Sequence, residues 1–388
     1  LLDILNQNVV ETELTGLDAV RAALDAPIGI DDFDALVGPD ESVVIVTSDI
    51  TRPFPTSTVV PLVLERLAAN GVRDEQITIV FALGSHRSHT PAEQEALVGK
   101  EIFERYRCVD SDQTDVVRLG ITTQGTPVDV SRIVAEADRR ICLGNIEYHY
   151  FAGYSGGATA IMPGCSTHEA IQANHRFMVQ ATAHAGNVDR NPVRDDLEEG
   201  ISRFCPIDCI VNVVLDESKQ VIHAVCGDFV KAHRVGCDFL DRVYLKPIEK
   251  RADIVIASQG GAPKDLNLYQ TQKALDNAKN AVRDGGIIIL VFIVFHLLHF
   301  TTLTFQIGGD YRPPAGVTAV SRDWFSGSAL RGRGYSICYV NAFQTQADDA
   351  SADRPDERSN WPRDLVLDGL GWDQLQERLV HALSLIHI

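Results

Sequence analysis

Residues 42–49 read SVVIVTSD, an almost unbroken run of β-branched apolar side chains. A strand with one wet face alternates apolar and polar residues. A continuous apolar run is what a strand shows when both of its faces are covered, as in a parallel sheet flanked by helices. The pattern repeats on the C-terminal side. STVVPLVLERLAANG (57–71) reads as a helix, ITIVFALG (77–84) as a second buried strand, and TPAEQEALVG (90–99) as a helix whose Thr90, Pro91 and Glu93 form a capping-box start. VSRIVAEADRR then leads into the strand ICLGNI (141–146). The loop YHYFAGYSGGATAIMPG (148–164) follows, and a second capping box, Ser166 to Glu169, is expected to open the helix STHEAIQANHRFM (166–178).

Farther out the signal weakens. Residues 180–250 carry the strand candidates CIVNVVLD (209–216) and QVIHAVCGD (220–228) and end in the polar stretch YLKPIEKRAD. The domain boundary is placed near 247. A new βα unit begins with ADIVIASQGG (252–261), continues through YQTQKALDNAKNAVRDGG and returns as a strand from Gly286. The expected fold is therefore α/β: two α/β domains, 1–246 and 247–388, with mainly parallel sheets and an active site in the cleft between them. A chain of 388 residues is long enough for two cores. The run IIILVFIVFHLLHFTTLTF (287–305) approaches the length of a membrane span, but His296, His299 and several threonines interrupt it, and a buried strand accounts for its first half. No element is assigned with force beyond about 292.

Composition limits the partners. A net charge of −18 argues against nucleic acid or an anionic membrane surface, since either would repel most of this protein. The eight cysteines are scattered, and Cys205 and Cys209, the nearest pair, lack zinc-knuckle spacing, which reads as reduced thiols. The N-terminal residues are acidic, with no basic stretch leading into an apolar core, so the expected location is cytoplasmic. The first residue is not Met and the ending ALSLIHI is abrupt, which reads as a fragment.

Polar residues gather just past the strand ends: Asp49 and Arg52, His86 and Arg87, Glu147 and His149, and Gln259. Open α/β sheets bind ligands at that edge. In SDITRP the Arg52 fork could clamp a carboxylate or phosphate with Asp49 orienting it, or the two could form a surface ion pair. His86, two residues beyond a strand, is the better-aimed acid/base, and His89 belongs to the turn before the helix cap. His149 is the second imidazole. Ser155, Gly156 and Gly157 behind it offer backbone N–H groups for an anion such as a mononucleotide phosphate, or make a tight structural connection. His168 and His175 are seven apart and near one helix face, where neutral imidazole suits a divalent metal or merely packs. Gln270 and Lys273 share a helix face and could hold an anionic substrate, or simply be solvated.

Taken in order, SDITRP, LGSHR, GNIEYHYFAGYSGG with MPG, NHRFM and GGAPKDLNLYQTQKALD resemble the nickel-pincer lactate racemase family of 2-hydroxyacid racemases and epimerases, over about residues 40 to 290. The resemblance implies a nickel-pincer nucleotide, Ni(II)-pyridinium-3,5-bisthiocarboxylate mononucleotide, supplied by cofactor-biosynthesis proteins. Its phosphate would lie by the Asp49-Ile50-Thr51-Arg52 turn. The resemblance further implies that His86 and His149 are the paired proton donor/acceptors, that His175 is the imidazole completing the nickel's coordination, and that Gln270 and Lys273 contact the carboxylate of a small anionic 2-hydroxy acid. Ten residues after the second histidine, where the lactate enzyme's pattern has a lysine joined to the cofactor, this chain has Thr159, so a noncovalently held cofactor is expected. Two rival expectations stand beside this one: a zinc-type hydrolase or lyase with His86, His149 and His175 as ligands, and a non-catalytic protein that binds the cofactor.

Overall fold

A computed structural model describes residues 2–258, 268–291 and 336–340. All of them belong to one compact unit, Leu1–Val340. In chain order the strands are β1 (Val43–Ser48), β2 (Ile77–Ala82), β3 (Arg107–Asp110), β4 (Val116–Ile121), β5 (Pro127–Ser131), β6 (Arg139–Asn145), β7 (Tyr148–His149), β8 (Gly153–Tyr154), β9 (Cys209–Leu215), β10 (Val221–Gly227), β11 (Ala252–Ser258), β12 (Val282–Val291) and β13 (Ser336–Val340). The α-helices are α1 (Gly16–Asp25), α2 (Thr56–Ala69), α3 (Pro91–Val98), α4 (Lys100–Arg105), α5 (Arg132–Ala135), α6 (His168–His175), α7 (Pro192–Phe204), α8 (Lys231–Tyr244) and α9 (Leu268–Ala278).

The first sheet has the order β10-β9-β6-β1-β2-β3, parallel throughout except for the β9–β10 hairpin. Its buried runs mean what they suggested in the sequence. Val44 and Val46 of β1 enter a core with Leu197 and Ile201 of α7 and Leu240 of α8, while Val43 and Ile45 enter a second core with Leu24 of α1 and Val63 and Leu67 of α2. Each face of the sheet is thus covered by helices, and each residue from Val43 to Val46 has an apolar destination.

The chain goes outward from β1 to β2 and β3, then returns to lay β6 on the other side of β1. Between β1 and β6 the strand order reverses, and the C-terminal ends of these strands diverge there, which is where open α/β sheets form their ligand crevice. A second parallel sheet, β11-β12-β13, carries α9. Regular pairing of β12 with β11 starts at Ile287, after a register shift that takes up Arg283–Gly286. The connection near 247 lies between α8 and β11, hence between the two sheets.

Two local expectations need correction. The cap of α6 is Thr167, whose hydroxyl accepts from Ala170 N–H, whereas Ser166 donates its hydroxyl to Ile161 O and is buried. The capping box read from Ser166 and Glu169 is therefore one residue early, and Glu169 pairs with Arg118 at 3.1 Å. The helix expected over 166–178 ends as α-helix at His175 and continues as one 3-10 turn, Arg176–Val179. Among the described residues no helix is long and apolar enough to cross a membrane. Of 287–305, residues 287–291 belong to β12 and the rest lie outside the described residues.

Candidate functional site

One pocket opens at the ends of β1, β2 and β6, lined among others by Asp49, Arg52, His86, His149, His175 and Lys273. Because β1 and β2 are paired with Ser48 opposite Ala82, the residues that leave them emerge side by side. Asp49 thereby meets His86: its carboxylate accepts from Nδ1–H at 2.7 Å. In this register the side-chain hydrogen-bond partners of Asp49 are His86 and the Thr51 hydroxyl at 2.9 Å, while Arg52 meets Asp49 through its backbone N–H, on Asp49 O at 3.1 Å, and through its charge. Burial alone would raise the Asp49 pKa, but the His86 hydrogen bond and charge, with Thr51 and Arg52, outweigh it and hold the carboxyl below the usual range. With Nδ1–H committed to Asp49, the remaining nitrogen of His86, Nε2, carries the lone pair in the neutral ring.

His89 is more than part of a turn. Its ring is 1% exposed, its Nδ1–H donates to Asp110 at 2.7 Å, and its Nε2 accepts the Ile50 N–H at 3.1 Å. This second His–Asp pair tethers the turn that follows β1. Neither Ile50 nor Thr51 lines the pocket, so within Asp49–Arg52 it is the two ends that face it.

His149 sits in the β7–β8 hairpin, and its Nδ1 accepts the N–H of Ala152 at 3.1 Å. In the neutral ring the proton therefore lies on Nε2, the opposite arrangement from His86. Phe151 stands edge-on between His149 and His175, with ring centroids 4.4 and 4.7 Å away. Desolvation pushes the His149 pKa well below its usual value, helped by the charges of Arg52 and Lys273, and pulls that of His175 down to about 4. Both rings are thus neutral near pH 7, the form that binds metal or accepts a proton.

His175 donates Nδ1–H to Asn174 Oδ1 at 3.0 Å, and Asn174 in turn donates to Asp196 at 2.8 Å and to Val193 O. Asn174 and Asp196 are buried. This relay leaves His175 Nε2 as the nitrogen available to a metal. His168 is exposed and does not line the pocket. Among the described residues no group of three or more His, Cys, Asp or Glu is gathered to hold a metal ion, so the expected three-histidine zinc site is not formed.

The glycines have a backbone explanation. Gly156 and Gly157 have φ of +82° and +60°, and a Cβ on Gly156 would lie 2.7 Å from Asn212 Oδ1. The N–H of Gly157 donates to Asn212 Oδ1 at 2.9 Å, and that of Ser155 donates to Glu147 O at 2.8 Å. Two of the three N–H groups expected to cradle an anion are therefore bonded within the protein. Ser155 and Gly156 reach the pocket wall, and Gly157 does not. Thr159 also faces the pocket, with its hydroxyl donated to Gly156 O at 2.9 Å.

Lys273, on α9, reaches the same pocket. Gln270 lies in the first turn of α9 and its side chain is outside the described residues, as is Gln259. The sequence reading missed Asn174, Arg194, Asp196 and Asp110. The signal for α7 was present in NPVRDD: Asn191 accepts from Val193 and Arg194 N–H, and Pro192 is at the first helical position.

Comparison with known proteins gives the family. Residues 1–186 match the family described as lactate racemase N-terminal domain, and residues 248–294 match lactate racemase C-terminal domain. The chain is 36% identical over 284 residues to the lactate racemase of Lactiplantibacillus plantarum, covering 72% of this chain and 66% of that protein. With the lactate racemase of Thermoanaerobacterium thermosaccharolyticum it shares 35% identity over 278 residues, covering 70% and 65%. The chain thus spans just under two-thirds of the length of these curated relatives. The structure of the lactate racemase apoprotein from T. thermosaccharolyticum superposes with a TM-score of 0.68 at 33% identity, covering 74% of this chain and 69% of that one. A Thermotoga maritima protein, 19% identical with a TM-score of 0.60 and covering 73% and 72%, shares the fold. By the matched domains and this level of identity, the chain belongs to the lactate racemase family.

Proposed function

We propose that the protein interconverts the enantiomers of a small 2-hydroxy acid. The observation that carries this reading is the pairing of His86 and His149 in one pocket with opposite resting tautomers. His86 Nε2 is ready to accept a hydroxyl proton, and Asp49 stabilises the imidazolium that results; His149 Nε2–H is ready to donate to the substrate oxygen. Inversion presents the hydroxyl to opposite sides, so each enantiomer uses a different imidazole. Arg52 and Lys273 supply positive charge for the carboxylate or for a cofactor phosphate within a chain that is acidic overall. Gln270 is assigned to the carboxylate through its place on α9 beside Lys273. The two sheets, joined near 247, are read as two α/β domains.

The residues fit the nickel-pincer nucleotide. His175 has a single nitrogen left for coordination, which suits a metal that arrives with its other ligands, and Arg52 suits the phosphate. When bound, the cofactor would take up the Cα hydrogen as hydride and give it back. Thr159 has no amine with which to form an amide, so the cofactor is held noncovalently, after delivery by biosynthesis proteins in the cytoplasm. Cofactor-loaded protein screened against single-enantiomer 2-hydroxy acids by chiral chromatography should yield the opposite enantiomer for at least one of them. His86→Ala and His149→Ala should each abolish that conversion. A loaded protein that binds cofactor and inverts none of them would be a carrier instead.

A further inference from the structure

The guanidinium of Arg194 is fully buried on the first turn of α7, outside the set of groups that the proposed chemistry uses. Its donors go to one short strip of backbone: Nε–H to Ala152 O at 3.2 Å, an Nη1 hydrogen to Gly156 O at 3.3 Å and an Nη2 hydrogen to Tyr154 O. The nearest carboxylate oxygen, Glu198 Oε1, is 3.9 Å away, and the other oxygen of Glu198 is bonded to Arg234 at 2.8 Å. Most of what Arg194 does is therefore done to carbonyls, not to a counter-charge.

A buried cation is a costly way to fill space, and an apolar side chain of the same volume packs at lower cost when packing is all that is needed. What an apolar chain cannot do is satisfy three carbonyls at once, which a planar fork of donors does in a fixed geometry. The strip it holds is the one behind His149. Ala152 has its carbonyl on Arg194 and its N–H on His149 Nδ1, so the orientation of this residue links the guanidinium to the ring. The remaining carbonyls are also bonded: Phe151 O to Asn191, Gly153 O to Gly186 N–H and Ser155 O to His233. Among the described residues, Arg194 is the side chain whose hydrogen bonds span the strip from Ala152 to Gly156.

We propose that Arg194 is a positioning residue for proton transfer: it fixes the Ala152–Gly156 backbone and, through the Ala152 N–H, the tautomer and aim of His149. This rests on the reading of His149 as a proton donor/acceptor. Arg194→Met keeps the volume and removes every donor, and Arg194→Lys keeps the charge and loses the fork. In the full chain without cofactor, hydrogen exchange should quicken in Arg194→Met by about tenfold or more at amides 152–157, with the amides of β6 unchanged. In the loaded enzyme kcat should fall by about tenfold or more with KM within about threefold, and the lysine variant should lie between Met and wild type. Wild-type exchange at 152–157, or a rise shared equally by β6, overturns the proposal. Wild-type protein that inverts no 2-hydroxy acid would remove the proton-transfer role together with the racemase reading, and the exchange result would still decide whether Arg194 holds the loop.

Discussion

His86 and His149 are the same residue type in one pocket, and their neighbours make them chemically different. The Asp49 carboxylate accepts from Nδ1–H of His86, whereas Nδ1 of His149 accepts from the Ala152 N–H. Asp49→Asn offers His86 an amide in place of the carboxylate, which can present N–H instead and stabilises the imidazolium less. We expect kcat to fall on the order of 10²–10⁴ with KM little changed, as loss of general base catalysis would give; a kcat within about threefold of wild type would remove Asp49 from this role. Buried imidazoles also set a stability prediction. Desolvation holds the pKa of His149, and of His233 inside the protein, well below the ordinary 6.5. Below pH 6.5 the unfolded chain then binds protons that the folded chain resists, so this stability is complete above about 6.5 and is lost as the pH falls toward the folded values. His233→Gln keeps an N–H for Ser155 O and cannot titrate, so unfolding free energies from urea titrations between pH 7.5 and 5 should fall less steeply, by up to about 1.4 kcal/mol per pH unit. Identical slopes would show that His233 is protonated in the fold. At this scale the sequence identified which residues leave the strand ends. It did not show who bonds whom: the Asp49–His86 pair depends on the register between β1 and β2, which no local pattern in either strand contains.

Elements were easiest to read where both ends were marked. Helix α3 has its Thr90–Glu93 box as expected, and β1 and β2 lie within their apolar runs. At α6 adjacent Ser166 and Thr167 are equally good caps in sequence, and tertiary structure decided between them by turning Ser166 inward to Ile161 O. Thr167→Ala should therefore cost about 1 kcal/mol, from the lost cap, in chemical denaturation, whereas Glu169→Ala, at an exposed ion pair, should stay within about 0.5 kcal/mol; the reverse order would restore the sequence reading. Helix α7 went unread although NPVRDD marks its start, because its sequence PVRDDLEEGISRF carries five acidic or basic residues in its first eight and only a thin apolar stripe. Its first two turns reach two parts of the site, with Arg194 on the His149 loop and Asp196 on Asn174. The glycine loop was legible as a close approach, but what it approaches is Asn212 of β9, a partner 55 residues away.

At the scale of the whole molecule, the alternation of apolar runs and helices was sufficient for an α/β fold with mainly parallel sheets, and the reversal of strand order between β1 and β6 explains why residues from three strand ends share a pocket. The proposed chemistry of that pocket carries a prediction at Thr159, which faces it and has no amine with which to link a cofactor. Intact-mass measurement of the loaded protein under denaturing conditions should return the unmodified polypeptide; a retained adduct would show a covalent anchor elsewhere. The central claim is inversion at Cα by hydride transfer with two histidines handling only the hydroxyl proton. A hydride that is taken up and returned does not mix with water, whereas a proton held on an imidazole exchanges with it. The direct measurement is turnover of a single enantiomer of lactate in D₂O by the cofactor-loaded protein, reading enantiomeric composition by chiral chromatography and Cα deuterium by mass spectrometry on the same sample. The account predicts inverted product that keeps protium at Cα, and inverted product carrying solvent deuterium at Cα would contradict it.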